Sequence, residues 1–106
     1  MIQDTSDKII KQNLDLLLLS MLNEKATHGY DLISGFHNEF KILLSPGTLY
    51  PVLHHLESMG FLEAEIIGKT KKYSVTPLGK KRLEMENTIF HRTNFGIDQY
   101  LNRKGN

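Results

Sequence analysis

The sequence predicts a mainly α-helical domain carrying one small β-hairpin, in the order α-α-α-β-β-α. Three observations lead there. Leucines and aromatics recur at three- and four-residue steps before Gly60, apolar residues alternate with polar ones on the two sides of Gly68, and Leu83, Phe90 and Ile97 stand seven apart after Pro77. The 106 residues are enough for one compact core and leave no room for a second.

Each element has its own signal. Residues 1–12 are polar with two isoleucines and read as an arm or an early helical turn. From Asn13, the positions Leu14, Leu17, Leu18, Met21 and Leu22 form one apolar stripe, which Leu16 and Leu19 widen to two sides of a first helix. Thr27 or His28 caps a second, with Leu32, Ile33, Phe36 and Phe40 at apolar spacing and Gly35 permitting close approach of a neighbour. Ser45-Pro46 is a helix-start signal and Gly60 a left-handed stop, so the third helix lies between them. At about 100° per residue, Leu49, Val52, Leu53, Leu56 and Met59 share its inner face. Gly47, Pro51, His54 and Ser58 centre the outer face, with Tyr50 and His55 on its flanks. Pro51 breaks a local rule: inside a helix it removes a backbone bond at up to about 3 kcal/mol, whereas a start near Thr48 would make it harmless. Phe61 to Ile67 alternates as a strand, with Leu62, Ala64 and Ile66 inward. Gly68 to Lys71 is a turn and Lys72 to Thr76 returns. Thr76-Pro77 starts the last helix, whose seam of Leu83, Phe90, Ile97 and Leu101 is interrupted by Asn87 and Asn94, residues able to fix the register of paired helices.

A capped helix followed by a basic two-stranded hairpin is the layout of a winged helix-turn-helix. Three units are expected: an arm over residues 1–12, the winged domain over 13–76 and a dimerisation helix over 77–106.

Composition narrows the function. With 40% hydrophobic and 24% charged residues the chain is ordinary globular protein. It has no cysteine, which excludes disulfides, thiolate nucleophiles and thiolate metal sites. The apolar run Leu16 to Leu19 is far shorter than the roughly 20 residues a bilayer requires, and the polar start Met1-Ile2-Gln3-Asp4 is unlike a secretory signal, so no membrane contact and a cytoplasmic location are expected. The net charge of +1 conceals a polarity. Residues 1–67 carry four Lys and nine Asp/Glu, whereas residues 68–106 carry nine Lys/Arg and three Asp/Glu. Between Gly68 and Arg82 lie Lys69, Lys71, Lys72, Lys80, Lys81 and Arg82 without an acid, which suits an anionic partner as well as a merely solvated face.

Four blocks then carry a family likeness: Leu14-Asp15-Leu16-Leu17-Leu18-Leu19, His28-Gly29-Tyr30-Asp31-Leu32, Gly47-Thr48-Leu49-Tyr50-Pro51-Val52-Leu53, and Leu56-Glu57-Ser58-Met59-Gly60-Phe61-Leu62. In order and spacing they resemble the PadR-type transcriptional regulators. Lys72 to Gly79 is similar to that family's strand-to-helix junction, and the likeness covers residues 13–83. The resemblance implies a homodimeric repressor on a pseudo-palindromic operator, of the subfamily with a single C-terminal helix. The hairpin lacks the family's arginine- and glycine-rich tip. Without tryptophan, the aromatic drug-stacking site of some members is not implied.

The expected contacts with double-stranded DNA are Ser45, Gly47 and Thr48 to phosphates, Tyr50, Pro51 and His54 to bases or sugar, and Lys69, Lys71 and Lys72 from the hairpin. Lys80, Lys81 and Arg82 flank the duplex or are solvated, and Tyr30 reaches a phosphate or packs beside Gly29. The outer helix face has no Arg, Asn or Gln, so DNA shape carries much of the specificity. Leu14, Leu17, Leu83, Phe90, Ile97 and Leu101 are the expected dimer contacts, with room for a small-molecule effector at that interface. His54 and His55 point about 100° apart and no His-Glu-x-x-His motif occurs, so neither a metal nor another cofactor is expected. No catalytic constellation stands out, and the chain reads as a non-enzyme. The rival reading is a winged-helix protein–protein module that never touches DNA.

Overall fold

The computed structural model describes residues 2–105, with side chains over residues 6–103. The elements in order are α1 (Ile2–Gln12), α2 (Leu14–Glu24), β1 (Thr27–His28), α3 (Gly29–Phe40), α4 (Pro46–Ser58), β2 (Leu62–Ile67), β3 (Thr70–Val75) and α5 (Pro77–Gly105). The fold is the expected helical body with a hairpin, enlarged at two places. The expected arm is a helix up to Gln12, with Met1 outside the described residues, as is Asn106 at the other end. Thr27 and His28 form a short third strand, so the sheet is antiparallel in the order β1-β3-β2. Two residues carry no alternation to read, and only their pairing with Tyr73 and Lys72 makes them a strand.

The core is where α2, α3, α4 and the sheet converge. Leu18, Leu22, Leu32, Phe36, Leu49, Leu53, Leu56, Leu62 and Tyr73 are all buried, each burial of such a side chain contributing roughly 1.5–3 kcal/mol. Ile42 and Leu44, in the connection between α3 and α4, are buried too, while Leu43 between them is exposed. Lys41 ends α3 in the left-handed conformation, φ 58°, its N–H bonded to the His37 carbonyl. Gly35 does admit a neighbour: a Cβ there would lie 3.1 Å from Met21 Cε.

Three expectations about faces are corrected. Leu14 is buried inside the protomer's own core rather than turned towards a partner. Met59, the C-cap of α4, is half exposed although its backbone is still helical, and the chain turns away only at Gly60. Ile66 is 72% exposed because the hairpin outruns the body. The turn is also tighter than expected. Ile67 pairs with Thr70, leaving Gly68 and Lys69 as a two-residue loop with φ 63° at Gly68, a positive φ at the first central position that favours glycine.

The C-terminus of α4 is a complete Schellman end. The Phe61 N–H bonds to the Leu56 carbonyl and the Gly60 N–H to that of Glu57, with Gly60 at φ 82°. From there α5 leaves the body. Leu83 still packs on the core, but every side chain from Asn87 to Arg103 is exposed. A helix of 29 residues is roughly 43 Å long at 1.5 Å per residue, which explains a longest dimension of 59 Å beside 32 and 19 Å.

Candidate nucleic-acid interface

Helix α4 starts as its sequence suggests. Ser45 is the N-cap with extended backbone, and its Oγ accepts from the Thr48 N–H at 3.2 Å. The same hydroxyl donates to Thr48 Oγ1 at 3.1 Å, and Pro46 takes the first position, where a missing N–H is harmless. These bonds reassign the expected phosphate donors. Ser45 is committed to Thr48, so the Gly47 N–H and the Thr48 hydroxyl hydrogen are the donors left at this helix end.

Because the helix starts at Pro46, Pro51 stands within it and not in the tolerant first turn. Its ring nitrogen has no hydrogen to offer the Gly47 carbonyl, so one intrahelical bond is lost there. Ser45, Gly47, Thr48, Pro51, His54 and Ser58 are all exposed, while Leu49, Leu53 and Leu56 anchor the opposite side in the core. Tyr50 is different. It is half-buried, and a Cβ on Gly29 would meet its ring at 2.8 Å, so it chiefly locks α4 to the start of α3. Its ring centroid is 6.5 Å from that of His54. Tyr30, the residue after Gly29, is instead 74% exposed, so the packing alternative for Tyr30 is overturned and belongs to Tyr50.

The hairpin supplies the cations. Lys69 lies in the turn and Lys71 on the exposed end of β3. Alternation places Lys71 on the face of Tyr73 and Lys72 on the other, where Lys72 is half-buried and pairs with Glu65 across the ladder. The three lysines therefore do not form one face. Arg82 is engaged within the protein. Its Nε donates to Glu86 Oε1 at 2.7 Å, and its guanidinium lies 5.6 Å from the Phe61 ring centroid. Lys80 and Lys81 are exposed beside it.

Behind these elements, Tyr73 is buried in the core and its phenol titrates above the usual value, first because burial disfavours the phenolate, then because of Glu57 and Tyr50. His28 Nδ1 is buried without a hydrogen-bond partner. Among the described residues no group of three or more His, Asp or Glu comes together as a metal site, and no helix is long and apolar enough to cross a membrane.

An apolar groove of about 440 Å³ runs between α1, α2 and α5 with Phe40 of α3 at its side, lined also by Ile9, Leu16, Leu17, Leu83 and Phe90 among others. Beyond it the α5 seam continues through Ile97 and Leu101, 52% and 62% exposed. Of the six expected dimer contacts, five thus lie along the groove and the overhanging helix, and Leu14 does not. Sequence reading missed the Tyr50–Gly29 lock and the engagement of Arg82. The first had a signal in the small residue at position 29, the second in the i, i+4 spacing of Arg82 and Glu86.

The family model described as "Transcriptional regulator PadR-like family" matches residues 18–85. The transcriptional activator GvpE1 of Halobacterium salinarum is 32% identical over 97 residues, which cover 91% of this chain and 47% of the relative. The chain therefore spans about half the length of that protein. A PadR family transcriptional regulator from Eggerthella lenta superposes with a TM-score of 0.82 at 27% identity, over 94% of this chain and 91% of that one. A PadR family regulator from Clostridium difficile gives 0.74 at 25% identity, over 84% and 98%.

Proposed function

The chain belongs to the PadR-like family of transcriptional regulators, and from that premise we propose that it regulates transcription by binding double-stranded DNA as a homodimer. As a member of a family of regulators, it is not an enzyme. The observation that carries the proposal is the outer side of α4: a solvent-open surface without Lys, Arg, Asp or Glu, fixed from behind by buried leucines. Such a surface fits a major groove, with the helix N-terminus towards the DNA. The Gly47 N–H and Thr48 hydroxyl meet a phosphate, Pro51 and the Thr48 methyl meet thymine methyls, and His54 reaches base or sugar. Lys69 and Lys71 meet the backbone from the hairpin, with Lys72 a weaker contributor beside Glu65.

The winged domain over residues 13–76 reads DNA in this proposal, and residues 77–106 join the two copies. Exposed apolar groups on a helix that overhangs its own body call for a partner, because an isolated helix of this kind is marginal in water. A second copy supplies both halves of the fit, its α5 seam of Phe90, Ile97 and Leu101 entering the groove beside Leu17 and Leu83. Two-fold symmetry then sets two α4 helices about 34 Å apart on successive major grooves. An effector at this interface would act by changing that spacing. Repression, which the resemblance implies, stands beside a relative named as an activator. The sign depends on where a site lies relative to a promoter and not on this fold.

The test is fluorescence anisotropy on fragments selected from the host genome, repeated across salt. Lys69 and Lys71 from each protomer, four backbone contacts per dimer, predict an affinity loss of roughly 10²-fold between about 50 and 200 mM salt, rising towards about 10³-fold with any share from Lys72. No binding to any fragment at low salt would favour the protein–protein module instead.

A further inference from the structure

The place where α4 ends is also the place where α5 begins, and one hydroxyl serves both. Thr76 Oγ1 donates to the Gly60 carbonyl at 2.6 Å, at the C-terminus of α4. The same oxygen accepts from the Gly79 N–H at 3.0 Å, capping the first turn of α5. The Thr76 N–H bonds to the Phe61 carbonyl at 3.1 Å. Gly79 lies directly on that same peptide, since a Cβ there would meet the Phe61 carbonyl oxygen at 2.2 Å. Leu78 lies 3.5 Å from where a Gly60 Cβ would be, and Arg82 stacks on Phe61. The segment Gly60-Phe61 is thus gripped by Thr76, Leu78, Gly79 and Arg82 at the start of α5, with 16 positions separating Thr76 from Gly60.

We propose that Thr76 is a positioning residue, a rigid joint that fixes the angle between the helix offered to DNA and the helix that dimerises. Through it the dimer enforces one spacing between operator half-sites. This rests on the dimeric DNA-binding reading, but the joint itself belongs to a single protomer and is measured there. In a long lever the joint matters more than its size suggests. Up to Phe90 and His91, α5 lies beside the groove it shares with α1 and α2, and its remaining turns stand free, so a small rotation at Thr76 displaces its far end by more than it displaces the joint.

Two variants separate the functions of the hydroxyl. Thr76→Val removes both bonds at nearly constant shape. Thr76→Asp still accepts from the Gly79 N–H as a helix cap but, ionised, cannot donate to the Gly60 carbonyl. Thr76→Ser keeps both. The chain has no cysteine, so spin labels at His55→Cys on α4 and Arg92→Cys on α5, diluted with unlabelled chain, report the interhelix distance within one protomer. The expected result is a narrow distribution in the parent and in Thr76→Ser, and a broadened or shifted one in Thr76→Val and Thr76→Asp. On duplexes with half-sites separated by different spacers, Thr76→Val and Thr76→Asp discriminate less between spacers by roughly three- to tenfold, the scale of one hydrogen bond. Their affinity for a single half-site is unchanged.

If Thr76→Val fails to fold, Thr76→Asp decides. A folded variant lacking the Gly60 bond that keeps the parent distance distribution, or the parent spacer profile, overturns the joint. Should the parent bind no duplex, the DNA-binding reading fails, and the distance measurement still decides the joint on its own.

Discussion

Tyr50 lies so close to Gly29 that a Cβ on the glycine would stand 2.8 Å from Tyr50 Cε1 and 2.9 Å from the phenol oxygen. The contact joins the helix offered to DNA with the start of the helix before it. Any side chain at position 29 must displace the ring. Gly29→Ala is therefore expected to lower stability by about 1–3 kcal/mol, the usual range for overpacking, as read by urea unfolding. The loss should shrink in Tyr50→Ala, where the ring is absent. Additive losses in the double variant would mean that the two residues do not press on each other.

The hairpin and the helix contribute differently to DNA binding. Replacing Lys69, Lys71 and Lys72 together by Ala should reduce the slope of log affinity against log salt by about 0.9 for each phosphate contact removed, equally on every sequence. Most of that change should come from Lys69 and Lys71, given the position of Lys72 opposite Glu65. Changing Pro51 or His54 should instead alter the preference among sequences, and a uniform loss would argue against contact with bases.

Dimerisation can be separated from folding by burial. Phe90→Asp or Ile97→Asp places a charge on exposed positions of α5 and should yield a folded monomer with weakened operator binding. Leu14→Asp buries a charge in the protomer's core and should cost the fold itself. Sedimentation with circular dichroism distinguishes the two. A Phe90→Asp or Ile97→Asp chain that still sediments as a dimer would remove α5 from the interface.

Tyr73 predicts the alkaline limit of stability. Its folded pKa lies above the ordinary value near 10 because burial disfavours the phenolate. The unfolded chain therefore loses this proton first. The stability associated with the neutral phenol is complete below about pH 10 and declines as the pH rises towards the folded value. Urea unfolding of the parent and of Tyr73→Phe between about pH 9 and about pH 11 should show a shallower decline in the variant. Parallel declines would assign the alkaline loss to other groups.

Much of this molecule was legible in one dimension because its signals are local. The apolar stripes of α2 and α4, the Ser45-Pro46 start, the Gly60 stop and the alternation around Gly68 each concern residues within a few positions of one another. Chain geometry translates such spacing directly into faces and ends. The outer side of α4, open and without Lys, Arg, Asp or Glu, follows from the same arithmetic. What folding alone decided are relations between distant residues: Thr27 and His28 becoming a strand by meeting β3, Leu14 turning inward, Ile66 standing clear of the body, Tyr50 closing on Gly29, and Thr76 clasping Gly60. Periodicity says that a face is apolar but not which neighbour covers it. That is settled only when all the elements compete for the same limited buried volume.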